Sequence, residues 1–192
     1  MLFYDIESLG VSSESVILSA AIVYVDPREN KTYEQVLDDV VFVKFDAQEQ
    51  IQTYSRKVDR NTVEWWTKKE DHVRKMSFNP CKEVDVCAKE GLRILKQYAK
   101  SHKTNTTVWT RGGMDAMITE SLYKQVNETP FAYFNTFRDI RTAVDILYNT
   151  SNGYTEISDL APEFDKSKVK KHDPCHDIVY DAFMLYYGVT KE

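Results

Sequence analysis

Apolar and polar positions follow two different periods along this chain, and the change of period divides it. Over the first 45 residues the apolar positions are dense and rich in β-branched and aromatic side chains. Residues 2–7, 16–25 (VILSAAIVYV) and 36–45 (VLDDVVFVKF) therefore predict three strands, with Asp26-Pro27 and Asn30 marking a turn before the third. Three successive strands with short connections predict an antiparallel start to a sheet. Helical spacing then takes over. Asn79-Pro80 reads as a cap followed by proline at the first helical position, and Val84, Cys87, Gly91, Ile94 and Tyr98 recur at helical intervals as far as Lys100. A short strand over 107–110 precedes a helix over 114–126, a third helix covers about 140–149, and a last one begins at Pro174 and stops before Gly188. Strands first, then alternating helices and short strands, predict an α/β fold with a mixed central sheet, three antiparallel N-terminal strands and flanking helices. No G-x-G-x-x-G follows the first strand, so a dinucleotide-binding Rossmann fold fits poorly.

No repeat, low-complexity stretch or Pro/Gly/Ser linker interrupts the chain, so residues 1–192 read as one domain. A chain of 192 residues buries about 70 per cent of its unfolded surface without disulfides or structural metal. No apolar run is long enough to span a bilayer, and the N-terminus has no basic region, long apolar stretch or cleavage site. The expectation is a mature cytoplasmic protein. Cys81, Cys87 and Cys175 contain no C-x-x-C pair, which argues for free thiols and against a zinc cluster. The net charge of −5 speaks against a phosphate-binding surface. That inference fails, however, where carboxylates cluster to hold divalent cations that reverse the local sign.

Such a cluster is suggested at the start of the chain, where Asp5 and Glu7 close an otherwise apolar strand. Alternate side chains of a strand share a face, so the two carboxylates would repel each other unless a cation lay between them. The plain alternative is a solvated strand end entering the turn at Gly10. Asp115 follows a strand and the Gly112-Gly113 turn, and Asp177 lies in the first turn of the last helix. Each reads equally as an acid favoured by the positive end of its helix dipole.

Together, Asp5-Ile6-Glu7-Ser8-Leu9-Gly10, the turn ending at Asp115 and His172-Asp173-Pro174-Cys175-His176-Asp177 resemble, in order and spacing, the three motifs of the DEDDh family of 3′-to-5′ exonucleases. Within it the likeness is to the DexA-type exonucleases of T-even bacteriophages, through Thr62-Val63-Glu64-Trp65-Trp66, Trp109-Thr110-Arg111-Gly112, Arg138-Asp139-Ile140-Arg141-Thr142 and HDPCHDIVYD. The resemblance implies a ribonuclease H-like fold and two divalent ions, Mg²⁺ or Mn²⁺, about 4 Å apart. It further implies that Asp5, Glu7, Asp115 and Asp177 are the metal ligands, that His172 takes the proton from the attacking water, and that Ser8 and Leu9 contact the terminal nucleotide. The substrate expected is the 3′ end of single-stranded DNA, with RNA the main rival, because sequence alone does not show what meets the sugar 2′ position. A non-catalytic domain that only holds a strand end is the reading from another class; it should lack one of the five site residues, and all five are present.

The His-x₄-Asp spacing occurs twice, as His172 with Asp177 and as His176 with Asp181. Asp173 and Pro174 read as cap and first helical residue, leaving His172 on the preceding loop. His176 and Asp181 would both be helical, and five residues at about 100° each set them about 140° apart around the axis. That divergence favours His172 and Asp177, with Asp181 a neighbour on the Asp177 face. Trp65 and Trp66 are about 100° apart on a helix, which reads either as one packing inside and the other offering a stacking surface, with Trp66 taken as the substrate contact, or as core packing for both. The basic run Lys166–Lys171 reads either as a phosphate track or as a solvated loop.

Overall fold

The computed structural model describes residues 1–102, 107–157 and 165–189. Its centre is a five-stranded sheet of order β3-β2-β1-β4-β5, formed by β1 (Leu2–Ser8), β2 (Ile17–Tyr24), β3 (Val41–Lys44), β4 (Val108–Thr110) and β5 (Phe137–Asp139). β1, β2 and β3 are antiparallel neighbours, as the sequence predicts, and β4 and β5 continue the sheet parallel to β1. The chain order of helices is α1 (Tyr33–Asp38), α2 (Ala47–Tyr54), α3 (Arg60–Thr67), α4 (Asp71–Val73, running into a π turn over Arg74–Phe78), α5 (Ala88–Ser101), α6 (Met114–Gln125), α7 (Ile140–Tyr148) and α8 (Pro174–Val189).

Helices cover both sheet faces, which is why β2 is apolar without alternation and buried nearly throughout. β1 shows the two faces separately. Leu2, Tyr4 and Ile6 enter one core with α5 and α6, whereas Phe3 enters the other with α7 and α8. Asp5 and Glu7 share parity with Phe3, so they project on the α8 side. The β1–β2 register slips between Glu7 and Ser8, a bulge-like irregularity in the ladder beside the acidic residues.

Two predicted elements are corrected. The strand expected over 36–45 is a helix followed by a shorter strand. Thr32 and Gln35 form a capping box, each side chain satisfying the other residue's backbone, and turn Tyr33 and Val36 inward. The helix expected from Asn79-Pro80 begins only at Ala88. The buried Lys44 ammonium donates to the carbonyls of Lys75 and Asn79, and Val86 bridges to Phe45, so residues 79–87 form a strap along the sheet edge. The cap of α5 comes from outside its own sequence, where Glu49 accepts from the Ala88 N–H at 3.0 Å. The last helix also extends slightly beyond its expected end, to Val189. The three cysteines are free thiols. Among the described residues no helix is long and apolar enough to cross a membrane.

Candidate active site

β1 and β4 are parallel, so their C-terminal ends lie on one edge of the sheet, the edge where open α/β folds bind ligands. β1 delivers Asp5 and Glu7 there, the turn after β4 delivers Asp115, and the first turns of α8 deliver Asp177 and Asp181. These five carboxylates and His172 line one cavity of about 630 Å³. All four expected acidic residues and the expected histidine are therefore brought together from three stretches of chain more than fifty residues apart in sequence.

The carboxylates crowd one another in poorly solvated surroundings. Asp115 is 3% exposed. Burial, and next the charge of Asp181, raises both Asp115 and Asp177 to about 7. Burial also raises Asp5 and Glu7 well above the usual carboxylate range, Asp5 with Asp115 as its strongest charged neighbour and Glu7 with Asp177. Arg111 offsets only part of this charge. It donates to Asp181 at 2.6 Å from one terminal nitrogen and at 3.2 Å from Nε, and its other terminal nitrogen bonds the carbonyl of Gly153. Asp181 is thus the neighbour of Asp177 that the sequence suggests, and it is committed to Arg111.

Among the described residues no three His, Cys, Asp or Glu side chains form a ready-made metal cage. The donor chemistry nevertheless fits hard divalent cations. It is all oxygen, it is crowded enough to hold protons up to neutral pH, and Mg²⁺ in particular retains waters and takes only one or two carboxylates alongside substrate phosphate.

The two histidines separate as the helix angle predicts. His172 precedes α8 with a left-handed φ of 63°, its N–H donates to Asp177 Oδ2 at 3.1 Å, and its ring faces the cavity edge-on to Trp65 at 5.1 Å. Asp173 accepts from the Cys175 N–H, as a cap should. His176 lies outside the cavity, buried, with Nδ1 at 3.1 Å from the Tyr33 hydroxyl. Burial, then the charges of Lys69 and Lys171, lowers the His172 imidazole below its ordinary value, although carboxylates crowd the same cavity.

The expected nucleotide contacts are redistributed. Trp66 is 1% exposed, stacks on Phe78 and donates from Nε1 to the Ser8 carbonyl, so it is a core residue that ties α3 to the end of β1. Trp65 is the exposed partner at 40%; it lines the cavity and carries the Lys69 ammonium 3.5 Å over its ring. Leu9 is 6% exposed and packs with Trp66, Val16 and Leu18, which leaves it almost no surface for a base. Ser8 lines an adjoining groove of about 380 Å³ shared with Trp65, Asn61, Thr62 and the barely exposed edge of Trp66, while its hydroxyl donates to the Gly10 carbonyl. Lys171 and Arg141 also reach the cavity wall. Sequence reasoning left Arg111, Arg141 and Tyr154 without a role in the site; the family-like stretches Trp109-Thr110-Arg111-Gly112 and Arg138-Asp139-Ile140-Arg141-Thr142 were the available signal for the two arginines, and nothing local marks Tyr154.

The family model described as the 3′-5′ exoribonuclease Rv2179c-like domain matches residues 1–186. Among solved structures, the nuclease domain of 3′hExo, a DEDDh family member bound to rAMP, superposes with a TM-score of 0.57 at 11% identity, covering 96% of this chain and 88% of that one. At that identity the likeness is one of fold, and it makes the mixed sheet with its flanking helices the ribonuclease H-like exonuclease fold. No curated protein matches the chain by sequence.

Proposed function

We propose, for a chain that belongs to the 3′-5′ exoribonuclease Rv2179c-like domain family, that it hydrolyses single-stranded nucleic acid stepwise from a free 3′ end. The observation that carries this reading is the convergence of Asp5, Glu7, Asp115, Asp177 and His172 on one cavity at the C-terminal edge of β1 and β4. RNA is the substrate favoured by the family's description. Single-stranded DNA is the second reading, favoured by the DexA-like motifs at residues 62–66, 109–112 and 138–142.

Divalent ions held by Asp5, Glu7, Asp115 and Asp177 would neutralise the scissile phosphate and make the attacking water more acidic. The rest falls to side chains. His172, with its imidazole held neutral by burial, accepts the proton as the water oxygen attacks phosphorus and the bond to the neighbouring 3′ oxygen breaks. A nucleoside 5′-monophosphate leaves, and the departing 3′ oxygen takes a proton from solvent to become the new 3′ hydroxyl. Trp65 offers its ring to the terminal base, and Lys69 and Lys171 attract the phosphates to a rim that the net charge of −5 would otherwise make repulsive.

The test is degradation of 5′-labelled and 3′-labelled RNA and DNA, linear and circular, in EDTA and after addition of Mg²⁺ or Mn²⁺. The expected result is shortening from the 3′ end only, lost in EDTA and restored by metal, slowed by a 3′ phosphate and absent on circles. Cleavage of a circle would mean an endonuclease, and full activity in chelator would remove the metals from the reading.

A further inference from the structure

Asp139 lies outside the cavity, yet it reaches the turn that carries one of the cavity's carboxylates. β5 ends at Asp139, paired with Thr110 at the end of β4. The Asp139 side chain caps α7, accepting from the Arg141 and Thr142 N–H groups at 3.2 and 3.3 Å and from the Thr142 hydroxyl at 2.6 Å. The same Oδ1 that accepts from Arg141 also accepts from the Gly112 N–H at 3.0 Å. One carboxylate therefore joins the start of α7 to the turn between β4 and α6.

On one side of that turn Arg111 is held through its side chain by Asp181 and the Gly153 carbonyl, but the two glycines that follow have few contacts of their own. Gly112 has a φ of 93°, and a Cβ built on Gly112 or Gly113 would meet nothing within 4 Å, so packing does not fix their position. Gly113, the cap of α6, contributes no side-chain cap bond. The bonds on Gly112 are that from its N–H to Asp139 and that from the Thr110 hydroxyl to its carbonyl at 2.7 Å. Asp115 follows three residues later, and its carboxyl must meet groups delivered by β1 and α8.

We infer that Asp139 is a positioning residue for this active site: by holding the Gly112 N–H it fixes the glycine turn that presents Asp115. The inference rests on the reading of Asp115 as a ligand of divalent ions. Outer partners that orient a metal ligand typically carry 10- to 100-fold in metal affinity or activity.

Serine separates this role from simple capping, because Asp139→Ser retains an oxygen able to cap α7 but is too short to hold Gly112 as well. Mn²⁺ affinity measured by titration calorimetry on the full chain, with melting temperature alongside, should show Asp139→Ser melting near wild type while binding Mn²⁺ roughly 10- to 100-fold more weakly. Asp139→Asn, which keeps Oδ1, should lie within a few-fold of wild type. If Asp139→Ser fails to fold, Thr110→Val removes the other bond to Gly112 and should weaken Mn²⁺ binding in the same direction. Mn²⁺ affinity unchanged within twofold in Asp139→Ser, or in Thr110→Val where that variant stands in for it, overturns the inference while leaving the exonuclease reading intact. A wild-type chain that binds no Mn²⁺ overturns both.

Discussion

At the residue scale, the two histidines give the sharpest test, because they are four residues apart and do different things. His172→Ala should lower turnover by roughly 10² to 10⁴ at neutral pH, the usual contribution of a positioned base, with Mn²⁺ binding largely kept. His176→Ala should leave the rate close to wild type and lower the melting temperature, since it empties a buried site and removes one hydrogen bond worth about 0.5–1.5 kcal/mol, while the Tyr33 hydroxyl keeps its bond to the backbone carbonyl of residue 176. The opposite pattern in rates would assign the chemistry to His176. Asp5→Ala is predicted to abolish turnover without lowering the melting temperature of the metal-free protein, because it removes one member of a mutually repelling buried group. A large drop in melting temperature would make Asp5 a structural residue instead.

Among the elements, α3 carries two adjacent tryptophans whose fates differ because about 100° of helix rotation separates them. Its entry is tied to the motif strand, since the Asp59 N–H donates to the Leu9 carbonyl at 2.7 Å. Trp66 then fills the space beneath Ser8 and Leu9, and Trp65 is left at the cavity. Trp66→Ala should destabilise the fold by about 3–5 kcal/mol, the usual cost of deleting a fully buried large aromatic. Trp65→Ala should leave the melting temperature nearly unchanged and raise KM for a single strand roughly tenfold or more, as stacking is worth about 1–3 kcal/mol per base. Equal KM in the two proteins would remove Trp65 from substrate binding.

For the whole molecule, the acidic centre makes stability depend on pH with a definite sign. Asp115 and Asp177 titrate near 7 when folded, against about 3.9 when unfolded, so the folded state holds their protons more tightly. Their favourable contribution is complete below about pH 4 and is lost as pH rises to about 7. The metal-free protein should therefore melt at a lower temperature at pH 8 than at pH 5, with a shallower fall in Asp177→Asn. Added Mn²⁺ should raise the melting temperature more at pH 8, where the carboxylates are free to ligate. Identical pH slopes for wild type and Asp177→Asn would show that Asp177 is not held protonated by its surroundings.

Much of this was legible in the sequence, and the division has a physical cause. The period-2 parity that puts Asp5 and Glu7 on one face, the cap and proline that start α8 at Pro174 and leave His172 on the loop before it, and the 100° step that turns His176 away from Asp181 are local properties of the backbone, so the motifs and their register could be read from the chain. The antiparallel pairing of β1 with β2 follows likewise from their short connection, whereas β2 reaches β3 only through α1. Tertiary structure decided what depends on neighbours distant in sequence. Part of the strand expected over 36–45 is helix because Tyr33 and Val36 have a core to enter, a packing gain that the local Thr32–Gln35 capping box only supports, and α5 starts at Ala88 because Lys44 holds the carbonyls of Lys75 and Asn79 upstream while Glu49 takes the Ala88 N–H. Which tryptophan is buried, whether Leu9 faces solvent, and the direction of the His172 shift depend on the solvation that packing leaves each group, and no local pattern encodes that. The same holds for Asp139: its bond to Gly112 spans 27 residues and exists only because β5 pairs with β4.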